Sequence, residues 1–247
     1  MELKENERID DLELNGLKII QNKDGFCFGM DSVILSDFAK EIRNGSKVLD
    51  LGTGTGILGI LLSGKTKLKK VYGIEVQKEV AEMASRSISL NNLQDRFEII
   101  NDNIKNLEKY FEACTIDAIV TNPPYKKPNS GLTNENKAKL ISRHEIEASL
   151  EDFIKISAKL LKNSGEFYMV HRPERLVDIM ELLRKYKLEP KKLKMVSPNV
   201  HKEPNLILIK AVKNGKPFLK LEKNLYIYEG NGEYTKDIFK IYGREEN

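Results

Sequence analysis

The chain has 247 residues, 40% hydrophobic and 32% charged, a balance that fits one or two domains around a sizeable core and excludes a wholly disordered chain. Its longest aliphatic run, Ile57–Leu62, is broken by Gly59 and falls far short of the ~18 residues of a membrane span; Glu2, Glu5, Glu7, Asp10 and Asp11 at the start are unlike a signal peptide, and Cys27 and Cys114 form neither a disulfide framework nor a metal-ligand set. The net charge of +4 names no partner, and the expectation is a cytoplasmic chain with no membrane association, no bound metal and no obligate protein partner.

Along the chain, Asn15-Gly16 between Leu12, Leu14 and Leu17, Ile19 predicts a hairpin. A further turn is expected at Asn22–Gly25, then a helix from near Asp31 with Val33, Ile34, Leu35, Phe38 and Ala39 on its apolar stripe, ending before Asn44-Gly45. From Ser46 the pattern alternates. Strands are expected at Lys47–Leu51, Val71–Val76, Arg96–Ile100, Ile116–Thr121, Gly165–Val170, Leu193–Ser197 and Leu206–Val212. Helices lie between, at Lys78–Leu90, Ser149–Leu161 and Pro173–Tyr186, the last with Leu176, Ile179, Met180 and Leu183 on one face. Strands alternating with helices imply an α/β fold, a doubly wound and mostly parallel sheet of seven strands. Residues 46–247 are read as one domain, and 1–45 as a hairpin-plus-helix extension packed on it.

The first βα crossover carries Asp50-Leu51-Gly52-Thr53-Gly54-Thr55-Gly56. Glycines there let the backbone turn tightly and approach a ligand, at the place where doubly wound sheets bind them. The spacing is G-x-G-x-G; Ile57 stands where a dinucleotide fingerprint has its third glycine, and the helix is expected to lack that glycine's close packing. Asp50 would repel a diphosphate but suit an ammonium group. Glu75, followed by Val76, ends the next strand, where a carboxylate can accept from both ribose hydroxyls. S-adenosylmethionine has an ammonium, a sulfonium and a ribose. The segment from Ser46 to Glu75 resembles the first motif of class I methyltransferases, and this resemblance implies that Asp102 and Asn103 meet the adenine ring and that Asp31 lies near the methionine end. Asp102 also reads as a helix N-cap.

Strand Ile116–Thr121 runs into Asn122-Pro123-Pro124-Tyr125. Two prolines stiffen the turn and remove two N–H donors, leaving an acceptor-rich corner. The Asn122 amide oxygen and the Pro123 carbonyl can each take one hydrogen of an –NH₂ group, while Tyr125 offers a flat face to a planar base. Such acceptors favour attack by an exocyclic amine, and rate then comes mainly from alignment and from acceptors aimed at developing charge. The target base must leave any helical stack.

N-P-P-Y at this place resembles the amino-methyltransferases of adenine, guanine N2 and release-factor glutamine. Ser142-Arg143-His144-Glu145, Arg172-Pro173-Glu174-Arg175-Leu176 and Gly232-Glu233-Tyr234-Thr235 are together similar to the bacterial tRNA(Val) adenine-N6 methyltransferase family. That resemblance spans nearly the whole chain and implies a tRNA adenine beside the anticodon as substrate. A glutamine enzyme would carry a helical N-terminal domain, and about 45 residues precede Ser46. A guanine N2 or glutamine enzyme, or an RNA-binding protein on an inherited fold, are the alternatives. His144 and His171 read as surface or capping residues, Cys27 as a core filler, and Arg172 and Arg175 as phosphate contacts or helix-start ion pairs. Two basic stretches, Lys126–Arg143 at +4 and Arg184–Lys194 at +5, read as a phosphate track or as a solvated face.

Overall fold

Strands buried on both faces need mostly apolar runs, and Val48–Leu51 and Ala118–Thr121 supply them, every residue being buried and only Asp50 and Thr121 polar. The computed structural model describes residues 3–23, 29–125 and 148–244. An antiparallel hairpin, β1 (Glu7–Asp11) and β2 (Lys18–Asn22), precedes α1 (Met30–Phe38). Then come β3 (Lys47–Leu51), α2 (Ile57–Lys65), β4 (Lys70–Ile74), α3 (Lys78–Leu90), β5 (Phe97–Ile100), a 3-10 turn (Ile104–Lys109) and β6 (Ile116–Thr121). The second half holds α4 (Leu150–Leu160), β7 (Leu161–His171), α5 (Leu176–Lys185), β8 (Leu188–Ser197), β9 (Leu206–Lys213), the short β10 (Lys220–Leu221) and β11 (Leu225–Tyr226), and α6 (Lys236–Ile241).

The main sheet runs β10-β8-β9-β7-β6-β3-β4-β5, with β11 also on β8. Only β9 is antiparallel, to both β7 and β8; it is a mostly parallel α/β sheet, as expected. Among the described residues the sheet has nine strands rather than seven, because two-residue β10 and β11 add an edge too short to leave any periodicity. Apolar clusters cover both faces.

Three boundaries differ most from the sequence reading, and β4 also ends at Ile74, two residues short of the expected Val76. The hairpin's first strand is Glu7–Asp11, and Leu12 and Leu14 lie in the loop, where Asn15 and Gly16 take positive φ (52° and 68°). β8 starts at Leu188, five positions before the expected Leu193, with a register shift between Pro190 and Lys192; proline in a strand is confined to such irregularities. β7 starts at Leu161 and bulges before Glu166. A Cβ on Gly165 would come within 2.9 Å of the Lys162 carbonyl. The expected turn at Asn22–Gly25 and the Cys27 reading lie partly or wholly outside the described residues.

The hairpin is tied to α3. Ile20 N–H donates to Ser87 Oγ at 3.0 Å, Lys18 and Asn91 exchange two hydrogen bonds, and Arg86 meets both carboxylate oxygens of Glu7 at 2.5 and 2.7 Å. Helix α2 approaches β5 closely: a Cβ on Gly59 would fall 2.3 Å from the Phe97 ring. The close packing expected to be missing without a glycine at 57 is therefore supplied two residues later.

Candidate active site

Parallel strands send their following loops to one edge, and the order β6-β3-β4-β5 makes the β3/β6 boundary the switch point where a crevice opens. After β3, Gly52, Gly54 and Gly56 all take positive φ (72°, 57° and 88°), a conformation that costs other residues about 1 kcal/mol or more. Gly52 and Thr53 N–H groups both donate to the Ile74 carbonyl, fastening the loop to β4.

Asp50 lies beneath this loop. It is 1% exposed, accepts from Thr53 Oγ1 at 2.6 Å and from the Gly59 N–H in the first turn of α2. Burial, with Glu75 adding repulsion, pushes its carboxyl up to about 7. The sequence gives this carboxylate to an ammonium group; in the structure it is covered and holds the loop to the helix. It also occupies an N–H at the helix N-terminus of the kind that would bind a diphosphate, in keeping with the G-x-G-x-G spacing.

Glu75, just past β4, accepts from Gly54 N–H at 3.1 Å and Gln77 N–H at 2.9 Å. One bond per oxygen leaves acceptor capacity on both. Asn101 braces this turn by donating to the carbonyls of Glu75 and Val76 at 2.8 and 3.1 Å, a role no sequence pattern announces. Past β5, Asp102 accepts from Asn103 N–H, Asn106 and the Tyr110 hydroxyl. The hydrogen bond from Asn106, with those from Asn103 and Tyr110, holds its carboxyl below the usual range. The N-cap of the 3-10 turn is Asn103, whose Oδ1 accepts from Lys105 N–H at 2.9 Å; Asp102 is not the cap.

After β6, Asn122–Tyr125 meets the start of α1. The Tyr125 hydroxyl lies 2.7 Å from Asp31 Oδ2 and 2.7 Å from Asn122 Oδ1, its one proton shared between them. Asn122 Nδ2 is 3.4 Å from Ser32 Oγ. Burial, with the Asp31 carboxylate next, pushes the Tyr125 phenol well above its usual range. The Pro123 carbonyl accepts no hydrogen bond among the described residues. Tyr125 is flanked by His171 (centroids 5.2 Å apart) and by the Arg172 guanidinium, 5.3 Å over its ring. Arg172 is itself held by the Asn205 carbonyl at 3.0 Å. One edge of the sheet thus brings together a glycine loop, two strand-end carboxylates and an acceptor-rich turn.

The sequence model of the methyltransferase small domain family matches residues 29–188. A tRNA1(Val) (adenine(37)-N6)-methyltransferase from Porphyromonas gingivalis is 32% identical over 185 residues, 73% of this chain and 72% of that protein. The chain belongs to this methyltransferase family. One of the same description from Tolumonas auensis is 27% identical over 90% of this chain and 91% of its own. Among solved structures, a predicted O-methyltransferase from Agrobacterium tumefaciens superposes with a TM-score of 0.71 at 19% identity, covering 87% of this chain and 96% of that one. At that identity the likeness is one of fold, the class I methyltransferase fold.

In this methyltransferase the family match begins at Gly29, so it takes in α1 as well as the sheet. The sequence candidates Asp31, Asp50, Gly52, Thr53, Gly54, Gly56, Glu75, Val76, Asp102, Asn103 and Asn122–Tyr125 all lie on the carboxyl edge or the start of α1. Sequence reading misplaced His171, which is neither exposed nor a helix cap but 1% exposed at the end of β7. Arg175 pairs with Asp178 at 2.6 Å, a helix-start ion pair. The Arg184–Lys194 cluster begins at the amino end of β8, opposite the site. Arg184, Lys185, Lys192 and Lys194 there pair with Glu189, Glu151, Glu41 and Glu222. Lys126–Arg143 and His144 lie outside the described residues. No helix among the described residues is long and apolar enough to cross a membrane.

Proposed function

We propose that the chain transfers a methyl group from S-adenosylmethionine to the exocyclic N6 of an adenine in tRNA, the adenine at position 37 of tRNA1(Val) as in the names of its relatives, a reaction of the cytoplasm. The observation that carries the reading is the corner beside the glycine loop formed by Asn122 Oδ1 and the Pro123 carbonyl, which accepts no hydrogen bond among the described residues. S-adenosylmethionine would supply an electrophilic methyl on a sulfonium.

The residues present fit that cofactor. Glu75 has acceptor capacity left for a ribose diol, Gly52–Gly56 allow close backbone approach, and Asp102 with Asn103 N–H stands where an adenine edge would be read. Val76 would line the adenine side, Thr53 and Asp50 would support the loop from below, and Asp31 would border the methionine end through the α1 turn. On the substrate side, Tyr125 leaves Asn122 Oδ1 to stack on the entering base. Asn122 and Pro123 then accept one amine hydrogen each, drawing electron density onto the nitrogen as it attacks. Pro124 holds the turn rigid. Because the amine becomes acidic only after it gains the methyl, its proton can leave late and no strong base is needed.

Residues before Ser46 act in this proposal as an extension of the methyl-transfer domain, with α1 closing the pocket. The test is nucleoside mass spectrometry of tRNA after incubation with enzyme and cofactor. N6-methyladenosine is expected; methylated guanosine, or no methylated nucleoside at all, would refute the reading.

A further inference from the structure

His171 is a buried polar group that the mechanism above leaves unused. Its Nδ1 accepts from the Arg172 N–H at 2.8 Å, so the ring proton sits on Nε2. That nitrogen is buried and has no hydrogen-bond partner among the described residues. A buried N–H left unpaired is costly, and native structures rarely keep one without a use. Burial, with the Arg175 charge next, pushes the ring down to about 4, so it stays neutral and keeps one acceptor edge and one donor edge at physiological pH.

The surroundings point to its use. With the Nδ1 edge turned back to the strand, the Nε2 edge faces away from it, and the ring packed against His171 is Tyr125. The same Tyr125 places its hydroxyl on Asn122 Oδ1, the acceptor wanted by the reacting amine. One side chain therefore covers the amine acceptor and packs against the ring that carries the donor, at the ends of neighbouring parallel strands β6 and β7. A second buried atom lies alongside: Asn205 Oδ1 has no partner among the described residues, on the residue whose carbonyl holds Arg172 over Tyr125.

We propose that His171 is a base-recognition residue whose Nε2–H donates to a ring nitrogen flanking the amine of the target adenine once Tyr125 has moved. This rests on the adenine reading above. Adenine offers an acceptor on each side of its amine, N1 and N7. A neutral donor there fixes the ring so that the amine reaches Asn122 and Pro123, and the N–H finds in the substrate the partner it lacks among the described residues.

The experiment is a cycle between enzyme and substrate. Wild type and His171→Phe are assayed on RNA carrying adenosine, 1-deazaadenosine or 7-deazaadenosine at the target position. His171→Phe should lower kcat/KM on adenosine roughly ten- to a hundredfold while leaving cofactor affinity unchanged. One of the two deaza substitutions should cost wild type a similar factor beyond what it costs the variant, since effects on amine reactivity common to both enzymes cancel. His171→Gln, which can present an amide N–H, should recover part of the rate and of the deaza sensitivity. Equal deaza penalties in both enzymes, or a phenylalanine variant within about twofold of wild type, would overturn the proposal. Melting temperatures show whether the phenylalanine variant folds; if it does not, His171→Leu takes its place in the cycle. Wild type that methylates something other than adenine overturns the adenine reading and this inference together, an outcome visible before any variant is made.

Discussion

Asn122 is the residue on which the chemistry turns. Asn122→Ala removes the amine's side-chain acceptor and should lower kcat by about 10²–10³, with cofactor affinity by calorimetry near wild type; an active variant would end the mechanism. Tyr125 divides into two parts. Its ring should matter through stacking, worth ~1–3 kcal/mol per base, and its hydroxyl only through the closed contacts to Asp31 and Asn122. Tyr125→Phe should therefore keep most activity and Tyr125→Ala should lose it, read as kcat/KM. Asp50 gives a prediction of a different kind. Its carboxyl is raised from 3.8 to about 7 in the folded chain, so the folded state binds the extra proton and stability falls as pH rises from about 4 to 7. Asp50→Asn imitates the protonated form. It should be close to neutral at pH 5 and stabilise the free protein by about 1–2 kcal/mol at pH 8.5, seen as a rise in Tm; no pH dependence of that difference would refute the assignment.

At the scale of elements, the half-buried ion pair of Glu7 and Arg86 is one of the contacts that hold the hairpin on α3. Arg86 holds the Glu7 carboxyl at about 2, against an ordinary 4.5. A lowered folded value means the contribution is complete above about 4.5 and is lost as pH falls towards 2. Glu7→Gln should cost on the order of 2 kcal/mol at pH 7 and little at pH 2.5, measured by denaturant melts at both. Element boundaries show what periodicity can and cannot reveal. β3, β6 and α3 match the expected ranges because each is an uninterrupted pattern from end to end. β7 and β8 were expected too short because Ser164-Gly165 and Pro190 break the alternation. A bulge holds such residues within a strand, and only the neighbouring strand's register makes it visible.

Across the whole molecule, charge is the property that the fold rearranged most. The Arg184–Lys194 cluster is largely paired with carboxylates from distant segments, Glu41, Glu151 and Glu222, and begins at the edge opposite the site. Replacing Arg184 and Lys185 by Gln should leave RNA affinity and its salt dependence within about twofold, whereas replacing Lys126 and Lys127, next in sequence to Tyr125, should weaken binding and flatten the slope of log K against log salt by about one per lost phosphate contact. Filter binding across a salt series distinguishes the two. The sequence by itself determined the parallel sheet, the glycine loop and the Asn122–Tyr125 turn, because each is a local pattern of hydrophobic period, glycine and proline. The modest net charge of +4 could not be divided between partners in sequence alone. Only the tertiary structure decided that Asp50 lies under the loop, that Tyr125 covers Asn122, and that His171 is buried with one nitrogen unpaired among the described residues. The hydrogen bonds of Asp50 with Thr53 and of Tyr125 with Asn122 are local, but burial, and the packing of Tyr125 against His171, exist only once separate strands meet.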